Sequence, residues 1–173
     1  MDPRYPIGKF AANGDITAAQ RDEWIEQIRT LPGEARAALR GIQGEQLEAT
    51  YREGGWTIRQ VVHHLADSHM NSFVRFKLAL TEDHPTIKPY DEERWATLAD
   101  GAKADVELSL TLLEALHERW VVLLRAMSEA DFARTFYHPG SEQTIRLDRN
   151  LGIYAWHGKH HVAHIELAKR SLR

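Results

Sequence analysis

The chain has 173 residues and a formal net charge of −3, with ten histidines and no cysteine. That length suits one domain with its own core. The absence of cysteine excludes disulfides, thiolate metal ligands and a cysteine nucleophile, and the acidic balance without a basic stripe excludes a nucleic-acid binder.

In chain order, residues 1 to 15 carry Pro3, Pro6, Gly8 and Gly14 and read as an extended arm. Asp15 or Thr17 can cap a first helix with Trp24, Ile25 and Ile28 on its inner face. Leu31-Pro32-Gly33 is expected to kink or divide that helix, because proline has no amide hydrogen to donate. The apolar pattern resumes through Ala35, Leu39 and Ile42 and gives way to a glycine-rich connection reaching Gly54-Gly55. Thr57 to Gln60 has capping-box spacing and opens a long second helix to about Thr81. Its apolar arc is Val62, Leu65, Ala66, Phe73, Phe76 and Leu80, flanked by a polar stripe of Gln60, His64, Asp67 and Asn71.

Pro85 and Pro89 mark a long crossover from Asp83 to Ala104, with one short helix expected through Trp95 and Leu98. A third long helix from about Asp105 to Met127 buries Val106, Leu110, Leu113, Leu116, Trp120, Val121 and Leu124, with His117 in the same arc. Residues 131 to 150 are irregular, with a Pro139-Gly140 turn between two short extended pieces. A final helix follows from Leu151 to Arg170. Four long amphipathic helices with one long crossover define an all-α four-helix bundle.

The final helix carries the chemistry. His157, His160, His161 and His164 lie at i, i+3, i+4 and i+7, on the face shared by Ile153, Trp156 and Leu167, while Lys159, Glu166, Lys169 and Arg170 face away. Imidazoles buried side by side need partners for their ring nitrogens, and a divalent metal is one such partner. The HxxxH pair His160 and His164 puts two nitrogens one turn apart, where one ion can bridge them. A third ligand must come from another helix. HHLADSH, residues 63 to 69, offers candidates: His69 sits in the middle of the apolar arc, His64 in the polar stripe beside it. With no Glu after His160, the HExxH pattern of zincins is absent.

The segments YPIG at 5 to 8, YREGGWTIRQVVHHLADSHMN at 51 to 71, RFKLALTE at 75 to 82, KPYDEERW at 88 to 95, FYHP at 136 to 139 and YAWHGKHHVAHI at 154 to 165 resemble the YfiT branch of the DinB/YfiT-like family over essentially the whole chain. The resemblance implies an up-down-down-up bundle, commonly a homodimer, with one zinc or nickel ion on three histidines. Carried over by position, those are His64, His160 and His164, with His161, His157 and His117 nearby. It further implies a metal-dependent enzyme that activates a small nucleophile. Such an enzyme would transfer a low-molecular-weight thiol such as bacillithiol to a small electrophile, or act as a hydrolase; a non-enzymatic metal-binding bundle is the third reading. No apolar run is long enough to span a bilayer and the N-terminus lacks a signal-peptide pattern, so a cytoplasmic location is expected, with no membrane partner.

Overall fold

A computed structural model describes residues 2–12 and 14–172. Helix α1 spans Ala18–Ala38, capped by Thr17, whose side chain accepts from the Gln20 amide. It runs unbroken through Pro32, so the expected division of this helix does not occur. The carbonyl that Pro32 cannot serve, that of Ile28 one turn earlier, instead accepts from the His117 ring. A 3-10 turn, Gly44–Glu48, leads to α2, Ile58–Thr81, and the Thr57–Gln60 capping box is formed in both directions.

The crossover holds two short helices where one was expected, α3 at Glu92–Trp95 and α4 at Ala99–Lys103. After α5, Val106–Ala126, and the single turn α6, Glu129–Phe132, an antiparallel hairpin pairs β1, Thr135–His138, with β2, Gln143–Arg146. Its register sets Phe136 against Ile145. The crossover is tied to β1 by the Tyr137 amide on the Pro85 carbonyl, 2.9 Å, and the Ile87 amide on the Tyr137 carbonyl, 3.0 Å. Helix α7, Leu147–Arg170, begins directly at the end of β2, four residues before the expected start.

Side-chain pairings give the helix directions. Along α1 and α7, Trp24 meets Gly152, Leu31 meets Gly158 and the Lys169 ammonium reaches the Ala38 carbonyl, so these two run parallel. His63 with Ser109 and His69 with His117 make α2 and α5 parallel as well. Arg36 with Glu107 and Glu26 with Arg125 set α1 antiparallel to α5, while Ser68 with Tyr154 and Asn150 with Ser72 set α2 antiparallel to α7. The bundle is therefore up-down-down-up, with α1 diagonal to α2 and α5 diagonal to α7. Parallel α2 and α5 oblige the chain to return along the bundle, which the long crossover does.

Trp120, Phe76, Phe136, Ile28 and Leu151 fill one end of the core and Ile58, Val62, Leu110 and Ile165 the other. Between them the interior turns polar: His63, His64, His69, His117, His160, His161 and His164 are all buried. No helix among the described residues is long and apolar enough to cross a membrane.

Candidate metal centre

The mid-bundle histidines face a cavity of about 570 Å³ whose wall includes His64, His157, His160, His161 and His164. Within it His64, His157 and His161 converge, each offering a ring nitrogen within 4.8 Å of the others. Of the three positions expected as ligands, the structure brings His64 into this group. His160 and His164 pack against each other, ring centroids 4.3 Å apart, one step round the helix. The pair that joins His64 is the other HxxxH pair of α7, His157 and His161.

Hydrogen-bond direction explains the difference. A carbonyl oxygen can only accept, so His117 must carry its proton on Nδ1 to bond Ile28. Its Nε2 is then a lone pair in the neutral ring and accepts from His69 Nδ1 at 2.9 Å. His69 Nε2 accepts in turn from His157 Nδ1 at 3.2 Å. His157 is left with a bare Nε2 lone pair, pointing at His64 Nε2 3.2 Å away.

A second, shorter chain does the same for His161. His164 Nε2 donates to the Pro3 carbonyl at 3.2 Å, so His164 Nδ1 accepts from His161 Nδ1 at 3.3 Å, and His161 Nε2 is bare. His164 is thus committed to the N-terminal arm and to the Tyr51 ring stacked on it at 3.9 Å. His160 stacks on Trp156 at 4.5 Å, and its Nδ1 is buried with no hydrogen-bond partner among the described residues. His69, central in the α2 arc, serves as the donor and acceptor that orients His157.

Burial keeps these rings neutral. It pushes His64 down to about 4, with the proximity of His160 adding to the effect, and His117 down to about 4. His69, His157 and His161 are held well below the usual imidazole value, first by burial and then by repulsion among neighbouring rings. Neutral imidazoles with lone pairs aimed at one point are the donor set that a divalent transition metal takes. The bare Nε2 atoms of His157 and His161 sit beside His64 Nε2, which is 3.2 Å from that of His157 and can give up its proton to a metal, so the residues fit such an ion.

Several lining groups were invisible to periodicity because irregular segments supply them. Trp56, just ahead of the α2 cap, leans over His64 with centroids 4.6 Å apart and is fixed by its indole N–H on Glu93, 3.0 Å. The N-terminal arm is held by Trp156 Nε1 on the Gly8 carbonyl, 3.1 Å. The YPIG motif was the available signal for this arm, and GGW for Trp56.

A bundle with parallel α2 and α5, and a His triad shared between α2 and α7, defines a histidine-lined helical-bundle class of metal-site protein. The chain belongs to the DinB superfamily, whose sequence profile matches residues 27–165. It is 54% identical over 171 residues to a candidate metal-dependent hydrolase of Oceanobacillus iheyensis, covering 98% of each chain. It is 50% identical over 167 residues to YfiT of Bacillus subtilis, a further candidate metal-dependent hydrolase, covering 96% of this chain and 94% of that one. The solved structure of Bacillus subtilis YfiT superposes with a TM-score of 0.95 at 48% identity, covering 99% of this chain and 98% of that chain. It is described as "a probable metal-dependent hydrolase with an unusual four-helix bundle topology".

Proposed function

We propose that this chain is a metal-dependent enzyme that activates a small nucleophile on one divalent ion held by His64, His157 and His161. The observation that supports it is the convergence of three neutral imidazoles, two with their lone pairs fixed by hydrogen bonding, at the wall of a cavity. When bound, such an ion lowers the pKa of a water or thiol and leaves a coordination position for it, because three protein ligands do not fill its shell. The names of the relatives support metal-dependent chemistry and, among its forms, hydrolysis.

The finer reading is transfer of a low-molecular-weight thiol, such as bacillithiol, to a small electrophile. Zinc is the ion proposed and nickel the substitute. Hydrolysis needs a general base beside the nucleophile, and the two carboxylates that line this cavity are poorly suited to that. Glu93 is taken by Trp56, and Glu92 lies exposed on α3. A thiol, more acidic than water, depends less on a base. In this reading the His69 and His164 chains hold the ligand nitrogens, and Trp56 and the N-terminal arm form part of the cavity wall.

The test is elemental analysis of untagged protein beside His64→Ala, His157→Ala, His161→Ala, His160→Ala and His164→Ala, each reloaded with zinc. Wild type and His160→Ala should hold one ion per chain and the first three variants none, with His164→Ala binding more weakly. Retention by His157→Ala and His161→Ala with loss from His160→Ala and His164→Ala would move the site one step round α7. Thiol-consumption and ester-hydrolysis screens of the loaded protein then separate transfer from hydrolysis.

A further inference from the structure

The cavity extends past the imidazoles to a wall the metal reading does not use. Arg75 lies on α2 eleven residues beyond His64. At 100° per residue it falls within roughly 20° of His64 and in the same stripe as Ser68, about 16 Å along the axis. Its side chain lines the cavity with Ser68, Pro89, Tyr90 and His138, and the residue is only 8% exposed. Among the described residues it makes no ion pair and no side-chain hydrogen bond. The other buried arginine, Arg21, behaves as buried cations normally do, pairing with Glu129 and bonding the Ile16 carbonyl.

The side chain is packed along its length while its nitrogens open into the cavity without a protein acceptor, and that planar set of donors matches an oxyanion. The carboxylates of the same cavity do not supply the match. Glu93 is held by Trp56, and Glu92 forms no ion pair with Arg75. The positive charge is felt across the pocket at His138, whose ring is held below its usual value by burial and then by Arg75.

We propose that Arg75 is an anion subsite, which takes the carboxylate or phosphate at the far end of an elongated substrate whose reacting group lies at the imidazoles. The position of the reacting group rests on the metal reading above; the subsite itself does not. The ligand class is therefore an anionic molecule whose charged end and reactive atom meet different parts of the cavity wall.

The experiment uses chelator-treated, metal-free full-length protein, so that an anion cannot bind to a metal instead. Succinate and inorganic phosphate are titrated calorimetrically into wild type, Arg75→Met, Arg75→Lys and His64→Ala, with neutral succinamide as control. Wild type should bind at least one anion saturably and ignore succinamide; whichever anion binds identifies the charged end. Arg75→Met should bind roughly tenfold more weakly or not at all, Arg75→Lys in between, since it keeps the charge and loses the fork. His64→Ala should match wild type, which separates this subsite from the metal reading: failure of the metal assignment leaves the titrations unchanged. Absence of anion binding to wild type, or equal binding by Arg75→Met, would overturn the assignment. If Arg75→Met does not fold, Arg75→Lys carries the test, and wild-type affinity in it would count against the fork.

Discussion

Replacing His69 by Phe tests whether the row of imidazoles behind His157 governs the ligand or only fills space. The substitution keeps a planar ring of similar size at a fully buried position and removes both of its hydrogen bonds. Two groups are stranded, Nε2 of the buried His117 and Nδ1–H of the half-buried His157. Each unsatisfied buried group costs about 1–3 kcal/mol, with His157 toward the lower end because it is less enclosed. His157 also loses the bond that fixes its proton on Nδ1, so its Nε2 lone pair is no longer assured. Loss of such an outer partner lowers metal affinity about 10–100-fold. His69→Gln is the matched control, since its carboxamide oxygen can accept from His157 while its NH2 donates to His117. Zinc affinity is measured by competition with a chromophoric chelator, stability by urea midpoint, and tautomers by nitrogen-15 shifts of the imidazoles in metal-free protein. His69→Phe with wild-type affinity and an unchanged His157 spectrum would refute the reasoning, and so would a Gln variant as weak as Phe.

Gly158→Ala should destabilise the bundle by about 1–3 kcal/mol, because a Cβ there would meet the Leu31 side chain where α1 crosses α7; a melting curve like that of wild type would count against this close contact. Thr57→Ala removes the cap of the helix that presents His64 and should lower the urea midpoint by the equivalent of about 1 kcal/mol. Metal-free protein should lose stability as pH falls. His64, His117 and His164 have folded values near 4 against 6.5 unfolded, so between those values the unfolded chain binds more protons. The slope should be about 1.4 kcal/mol per pH unit for each such ring, levelling off only below about pH 4. A urea midpoint unchanged from pH 7 to pH 5 would contradict neutral burial of these rings.

The bundle and its long helices were legible because the periodicity of Trp24, Leu65, Leu113 and Trp120 reports burial directly. The inward histidine face of α7 was legible for the same reason. Which two of its four imidazoles meet His64 was not, because both HxxxH pairs occupy the same broad arc. The decision is made by Pro3 and Tyr51, which occupy His164 from segments without periodicity. His69 was correctly placed in the apolar arc, yet centrality on α2 means contact with His117 of α5, leaving the boundary position of His64 to face the cavity. Pro32 does not divide α1, because α5 brings the His117 ring to the carbonyl that the proline leaves without an amide partner.

That orphaned carbonyl also bears on where protons can travel. A row of imidazoles invites comparison with a proton wire, but passage along one requires every ring to exchange its tautomer and the terminus to take up the charge. Here the terminus is a peptide oxygen, far too weakly basic to do so, and the second row ends on another at Pro3. Both rows are therefore insulators with a fixed polarity. In the chemistry proposed above, a released proton would have to depart through the cavity itself, by solvent or by the substrate, which would tie the rate to what fills that space.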